Sequence, residues 1–165
     1  MTNTIIKWMM VFGSKIVKCV VFICYSSQNL KEAKETRKLV KKYGGIPFMA
    51  PYSIEVGNNP KEVIFSNIYN CDIFLPLIDS KTTKSTFVHQ EIGYALSSKK
   101  TIIPITIGKI KQEDLGFLYD LHHEKYNTKK FKKSLKNKIL KKYASTILFY
   151  VVLLIVLLWI KLKPK

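Results

Sequence analysis

Apolar and polar positions alternate in blocks along the first two thirds of the chain. The run IVKCVVFICY (16–25) is nearly continuous in apolar and β-branched residues, which predicts a strand buried on both faces. Residues 30–43 turn to Lys, Glu, Ala and Leu and stop at Gly44-Gly45, the pattern of a helix and its C-terminal stop. IPFMA (46–50) is a second strand, followed by the loop PYSIEVGNN. Residues 60–69 open with Pro60 at a first helical position and set Val63, Ile64 and Ile68 at helical spacing. DIFLPLI (72–78) is a third strand. Ser85 then caps STFVHQEIGYAL, whose Val88, Ile92, Ala95 and Leu96 form one apolar face. TIIPITIG (101–108) is a fourth strand. Strands alternating with helices of this length predict an α/β fold, a parallel sheet with helices on both faces. Pro76 and Pro104 interrupt two of these strands, predicting an edge position or a bulge there. Residues 112–127 are ambiguous.

The pattern changes after residue 128. Residues 129–143 predict a basic helix, and ASTILFYVVLLIVLLWI (144–160) carries no charge over 17 residues. At about 1.5 Å per residue it covers about 26 Å, close to the roughly 30 Å hydrocarbon core of a bilayer. A helix apolar on every face has no side to show water, so a single transmembrane helix over 144–162 is expected, with residues 163–165 as a tail. The resulting division is a leader (1–16), a soluble domain (17–128), a juxtamembrane helix (129–143) and the span. Residues 5–12 are apolar apart from Lys7 but lack the basic start and small-residue cleavage site of a signal peptide.

Charge orients this arrangement. The chain has 28 Lys+Arg against 11 Asp+Glu, a net charge of +17. Nine lysines between residues 125 and 142 have no acid among them, and three follow the uncharged stretch 144–160. The positive-inside rule therefore puts the domain in the cytoplasm. A lysine run abutting a span fits anionic membrane lipids, and no nucleic-acid partner is expected. Cys19, Cys24 and Cys71 form no CxxC pair, and His89, His122 and His123 have no metal-ligand spacing, so buried thiols and structural or surface histidines are expected.

Open α/β sheets bind ligands outside the carboxyl ends of their strands. Here those ends carry Tyr25-Ser26-Ser27, residues 51–59 and Asp79-Ser80. The helix beginning near Ser85 starts at the same edge, and Glu91 lies about 9 Å along its axis. Glu91 falls beside the apolar stripe, four residues after Phe87 and four before Ala95. Two readings stay open: a carboxylate of altered pKa acting on a ligand, or an edge glutamate satisfied by a lysine or the backbone. Gly57 reads as a loop residue, and no phosphate-binding glycine loop or nucleophile elbow appears.

As an ordered set, VFICYSS, GIPFMAPYSIEVG, CDIFLPLIDS, STFVHQEIGYAL, TIIPITIG and GFLYDLHHEKYN resemble a TIR (Toll/interleukin-1 receptor) domain. The whole resembles a prokaryotic-type TIR protein with a C-terminal transmembrane helix. The resemblance implies a flavodoxin-like fold and NAD+ as substrate, since catalytic members cleave the nicotinamide–ribose bond and some cyclise the product. It implies no cofactor or metal. By position Glu91 is then the catalytic carboxylate, holding ribose hydroxyls and stabilising an oxocarbenium-like state. Tyr25 and Ser26 line the pocket, the segment from Ile54 to Gly57 covers it, and Ser85 and Phe87 border it. Phe87 stands in the family's tryptophan position, keeping a stacking surface without the indole donor. The resemblance also implies association with other TIR domains, as a homo-oligomer, and a role in antiviral defence or cell-death signalling. The alternatives are a non-catalytic scaffold that recruits another TIR protein at the membrane and a nucleotide sensor whose clustered C-terminal helices perturb the bilayer.

Overall fold

The β-branched run after Cys19 extends as a strand, and its two-residue period sends alternate side chains to two different helical layers. The computed structural model describes residues 18–50, 59–111, 115–116 and 118–162. In chain order these form β1 (Val20–Cys24), α1 (Leu30–Lys42), β2 (Ile46–Phe48), α2 (Pro60–Asn70), β3 (Ile73–Ile78) and α3 (Thr86–Ser97). Then follow β4 (Thr101–Ile102), β5 (Ile105–Thr106), β6 (Glu124–Lys125) and α4 (Lys129–Leu162). The expected leader, the tail and the loop residues Ile54 and Gly57 lie outside the described residues.

All pairings are parallel, in the order β2-β1-β3-β5-β6, with β4 beside the first half of β3. With β4 and β5 taken as one interrupted strand, this is the flavodoxin-like order, with the switch point between β1 and β3. Val21, Ile23, Ile73, Leu75 and Leu77 face one layer, where Ala33 and Val40 of α1 meet Phe131, Leu135 and Ile139 of α4. Phe22, Cys24, Phe74 and Ile78 face the other, against Ile64 and Ile68 of α2 and Val88, Ile92 and Ala95 of α3. Phe22 stands directly opposite both Phe48 and Phe74 in the register, and the three rings stack across β2, β1 and β3 at 5.1 and 5.5 Å.

Of the two placements expected at the prolines, an edge position or a bulge, Pro76 does not take the edge. Pro76 sits in β3, the central strand, opposite Cys24. The Phe74 and Ile78 carbonyls accept from Ile103 and Ile107, so the two-residue period turns the missing Pro76 donor toward the same side. There the partner is broken between β4 and β5 at Ile103-Pro104, and no ladder bond is lost. The expected fourth strand is accordingly two short ones.

α1 ends in a Schellman motif. Gly44, at φ +89°, donates to the Lys41 carbonyl, and Gly45 donates to that of Val40. α2 starts on Asn59, whose side chain accepts from the Lys61 amide at 3.1 Å.

α4 is one unbroken helix of 34 residues. Its first turns belong to the domain core through Phe131, Leu135 and Ile139, so the helix expected as a separate juxtamembrane element from residue 129 is the last layer of the α/β fold. Beyond Tyr143 it leaves the domain. It is long and apolar enough to cross a membrane, and none of its apolar window is buried.

Candidate active site

The carboxyl ends of β1 and β2 and the first turns of α2 and α3 enclose a cleft of about 310 Å³. Its walls are Phe22, Cys24, Tyr25 and Ser27 from β1 and the turn after it, Ala50 after β2, Pro60 and Ile64 of α2, and Phe87 and Glu91 of α3. The volume is at the lower end of small-molecule sites, about 300–1,000 Å³, and the position beside the switch point is where open α/β sheets take ligands.

α3 is aimed by its cap. The Ser85 hydroxyl accepts from the Val88 amide at 3.4 Å and the Ser85 carbonyl from the His89 amide at 3.1 Å. Helical spacing then stacks Phe87 and Glu91 one turn apart on the cleft side. Phe87 is 41% exposed at the mouth and Glu91 only 5% exposed at the base. Desolvation raises the Glu91 carboxyl to about 7, against the neighbouring Cys24 thiol, which lowers it. Burial, and then the Glu91 charge, push the Cys24 thiol well above its usual range. No cation among the described residues contributes to the Glu91 shift. The shift thus has its causes in burial and a neighbouring thiol, with no contribution from the lysine or backbone that an edge glutamate would use.

The expected site residues fall into three groups. Glu91, Tyr25 and Phe87 line the cleft, and Tyr25 is anchored by its hydroxyl, which donates to the Ala50 carbonyl. Ser26 and Ser85 do not appear in the lining: Ser26 takes a 3.4 Å contact from the Thr82 hydroxyl, and Ser85 is the helix cap. Ile54 and Gly57 lie outside the described residues.

A second cluster fixes the rim. Asp79, following β3, accepts from the Thr82 amide at 2.6 Å, the Thr82 hydroxyl at 2.5 Å and the Lys81 amide at 3.1 Å. Asn29 donates to the Thr82 hydroxyl at 3.1 Å, tying the turn after β1 to the turn after β3. Burial raises the Asp79 carboxyl, but the hydrogen bonds from Thr82, Lys81 and Asn29 outweigh it and hold the group below its ordinary value. Asn29 and Thr82 were missed in the sequence, where only polar residues near strand ends marked them. Cys24 was missed as a partner because an apolar run gives no sign of what its last side chain touches.

His89 Nε2 donates to the Thr83 carbonyl, 2.7 Å away, and serves the loop before α3. Cys19, Cys24 and Cys71 are all buried. No group of three metal-ligating side chains occurs among the described residues.

These features define a flavodoxin-like α/β domain with a small-molecule cleft at its switch point and an apolar helix continuing from its last layer. The chain belongs to the TIR domain family, whose model matches residues 21–139. Comparison with curated protein sequences gave no match. Among solved structures, the fold is similar to the TIR domain of the Toll-related receptor TRR-2 from Hydra magnipapillata, with TM-score 0.59 and 18% identity over 75% of this chain and 97% of that one. It is similar to a metazoan TIR-STING receptor from C. gigas in complex with 2',3'-cGAMP, with TM-score 0.62 and 18% identity over 72% of this chain and 38% of that one. The TIR domains of the activated Roq1 resistosome give TM-score 0.53 and 10% identity over 77% and 84%. At these identities the likeness is one of fold.

Proposed function

We propose that this protein is a membrane-anchored TIR enzyme that cleaves the bond between nicotinamide and ribose in NAD+. The observation that carries the reading is the buried Glu91 carboxyl at the base of the cleft, pushed up to about 7 by desolvation. A desolvated carboxylate interacts strongly with a developing positive charge, because little water is present to screen it. NAD+ brings such charge twice, on the nicotinamide ring and then on the ribose carbon as the C–N bond breaks.

In this mechanism the ionised Glu91 accepts hydrogen bonds from the ribose hydroxyls and stabilises the oxocarbenium-like state. Neutral nicotinamide departs with the bonding electron pair. Water, or a nucleophile within the ADP-ribose itself, then takes the ribose carbon to give a linear or cyclic product. Phe87 offers its ring at the mouth for stacking, and the neighbouring Cys24 thiol favours the ionised carboxylate. The cationic substrate acts in the same direction on entering the cleft.

α4 serves as the anchor, with its lysines toward anionic lipids and the domain on the cytoplasmic side, where NAD+ is available. Confinement to a membrane plane raises the local concentration of the domain and favours association with further copies, the mode expected of a signalling response in defence or cell death. The family fold is shared with the TIR domains of the activated Roq1 resistosome.

The test is nicotinamide release from NAD+ by the full chain reconstituted at high density in vesicles. Activity is expected for the wild type and not for Glu91→Ala. If neither releases nicotinamide while the Glu91→Ala chain still triggers the cellular response, the protein is a scaffold and the enzyme reading fails.

A further inference from the structure

The fold separates charge along the strand axis. α4 begins after β6, at the carboxyl edge of the sheet, and runs down the α1 layer to the opposite edge. Its arrival there is fixed by two contacts: Lys142 Nζ lies 2.8 Å from Asp72 Oδ1, just before β3, and the Tyr143 hydroxyl donates to the Gly44 carbonyl, before β2, at 2.6 Å. The apolar helix therefore departs from the amino-terminal edge of the sheet. The cleft lies at the other edge, about 16 Å away along β1 at roughly 3.3 Å per residue.

Five exposed lysines from four separate segments converge on the edge that the helix leaves: Lys18 before β1, Lys41 and Lys42 at the end of α1, Lys99 after α3, and Lys141 on α4. The turns described at this edge contain one acid, Asp72, and it is already engaged by Lys142 and by the Val20 amide at 2.8 Å. The acids Glu32, Glu62 and Asp79 stand at helix starts or a strand end on the opposite edge. Tyr69, 62% exposed at the end of α2, adds an aromatic ring beside Lys100, whose ammonium lies 5.2 Å from the ring centre and donates to the Tyr69 carbonyl.

Complementing helix dipoles accounts for Lys41 and Lys42, which close α1. It does not account for Lys18 or Lys141. Lys99 is more telling. It occupies the C′ position of a Schellman motif, in which Lys99 donates to the Leu96 carbonyl and Lys100 to that of Ala95, with φ 52°. Glycine is favoured at that left-handed position and a side chain there is strained, yet the chain carries a cation.

We propose that the amino-terminal edge of the sheet is a docking surface for the anionic headgroups of the membrane that α4 enters, and that docking holds the cleft pointing away from the bilayer. The proposal rests on the reading of α4 as a span. Continuity with that helix selects the occupant, since a basic edge at the point where the helix enters meets the bilayer before any other anion. Amphipathic Tyr69 suits the headgroup region, where tyrosine is enriched.

The experiment uses the full chain inserted in vesicles of phosphatidylcholine alone or with phosphatidylserine, each containing a headgroup-attached quencher. A fluorophore is placed on Asn70→Cys, at the basic edge, or on Ser80→Cys, at the cleft edge, both exposed positions. Quenching at residue 70 is expected to exceed that at residue 80 by at least about twofold and to rise with phosphatidylserine, as charge attraction near a surface requires. Lys18→Gln, Lys41→Gln, Lys42→Gln and Lys99→Gln together should remove the lipid dependence while leaving the melting transition in place. Equal quenching at the two positions, or no effect of phosphatidylserine, overturns the docking surface while leaving the span intact. Loss of the chain from vesicles on alkaline washing overturns the span and the docking with it. Lysine-dependent binding to a short RNA, with quenching indifferent to lipid charge, assigns the edge to nucleic acid and overturns the proposal.

Discussion

Cys24, the last residue of β1, and Glu91, in the second turn of α3, line the same cleft, and the Cys24 thiol favours the ionised form of the Glu91 carboxyl. Both groups are buried, so little water screens the interaction between them. If the ionised carboxylate is the working form, kcat/KM for NAD+ cleavage should rise with pH through a midpoint near 7, the value to which burial pushes Glu91. Cys24→Ala removes the group that favours ionisation and should move that midpoint upward, with Cys24→Ser restoring part of the shift. A pH–rate profile of the three proteins checks this, and an unmoved midpoint in Cys24→Ala would separate the thiol from the titration.

The same burial has a cost in stability. Glu91 binds its proton more tightly folded than unfolded, so the folded state is penalised progressively as pH rises from the ordinary value of 4.5 to about 7, and fully above it. A difference of this size corresponds to about 3 kcal/mol at most. Glu91→Gln should therefore be more stable than the wild type at pH 8, by about 2–3 kcal/mol, and gain little at pH 4. Thermal melts of the full chain in detergent at both pH values test it. A Glu91→Gln protein less stable than the wild type at pH 8 would mean that the carboxylate is solvated or paired in the folded protein.

How much of this was legible in the chain differs by element. The strand and helix order could be read because each apolar run keeps its own period, and Pro104 marked the place where the fourth strand breaks. β6 could not be read: Glu124-Lys125 has no strand pattern and is extended by pairing with β5. The boundary between domain and anchor was drawn at a change of charge, yet Phe131, Leu135 and Ile139 recur every four residues through the lysine run. That spacing was a signal of a core-facing helix. Glu91 stood out by its place beside an apolar stripe, whereas its thiol partner depends on contact between β1 and α3, which no local period encodes.

At the rim, Thr82 is buried and joins Asp79 to Asn29 through a single hydroxyl. Thr82→Val keeps the shape and removes both bonds, leaving the buried Asn29 amide without this acceptor. Destabilisation of about 1–3 kcal/mol is expected. Because the cluster also holds the turn that follows β1, KM for NAD+ should rise more than kcat falls. Asp79 is held below its ordinary value in the fold, so it contributes stability above that value that is lost as pH falls through its folded one. The Thr82→Val defect should consequently shrink in acid. Denaturant unfolding at neutral and low pH, together with steady-state kinetics, provides the check.

Two truncations separate the roles of α4. Ending the chain after Tyr143 retains Phe131, Leu135, Ile139, the Lys142–Asp72 ion pair and the Tyr143–Gly44 hydrogen bond, so the domain should stay folded while losing vesicle association. Ending it after Thr128 uncovers the Val21, Ile23 and Leu75 face of the sheet and should abolish cooperative unfolding. Leu135→Ala in the full chain gives the graded version: a fully buried leucine truncated in a packed layer costs about 2–5 kcal/mol. Circular dichroism melts and vesicle flotation on the three proteins measure each role separately. A folded chain ending at residue 128 would make α4 dispensable to the core. Flotation by the chain ending at 143 would assign membrane binding to the basic edge alone, without the span.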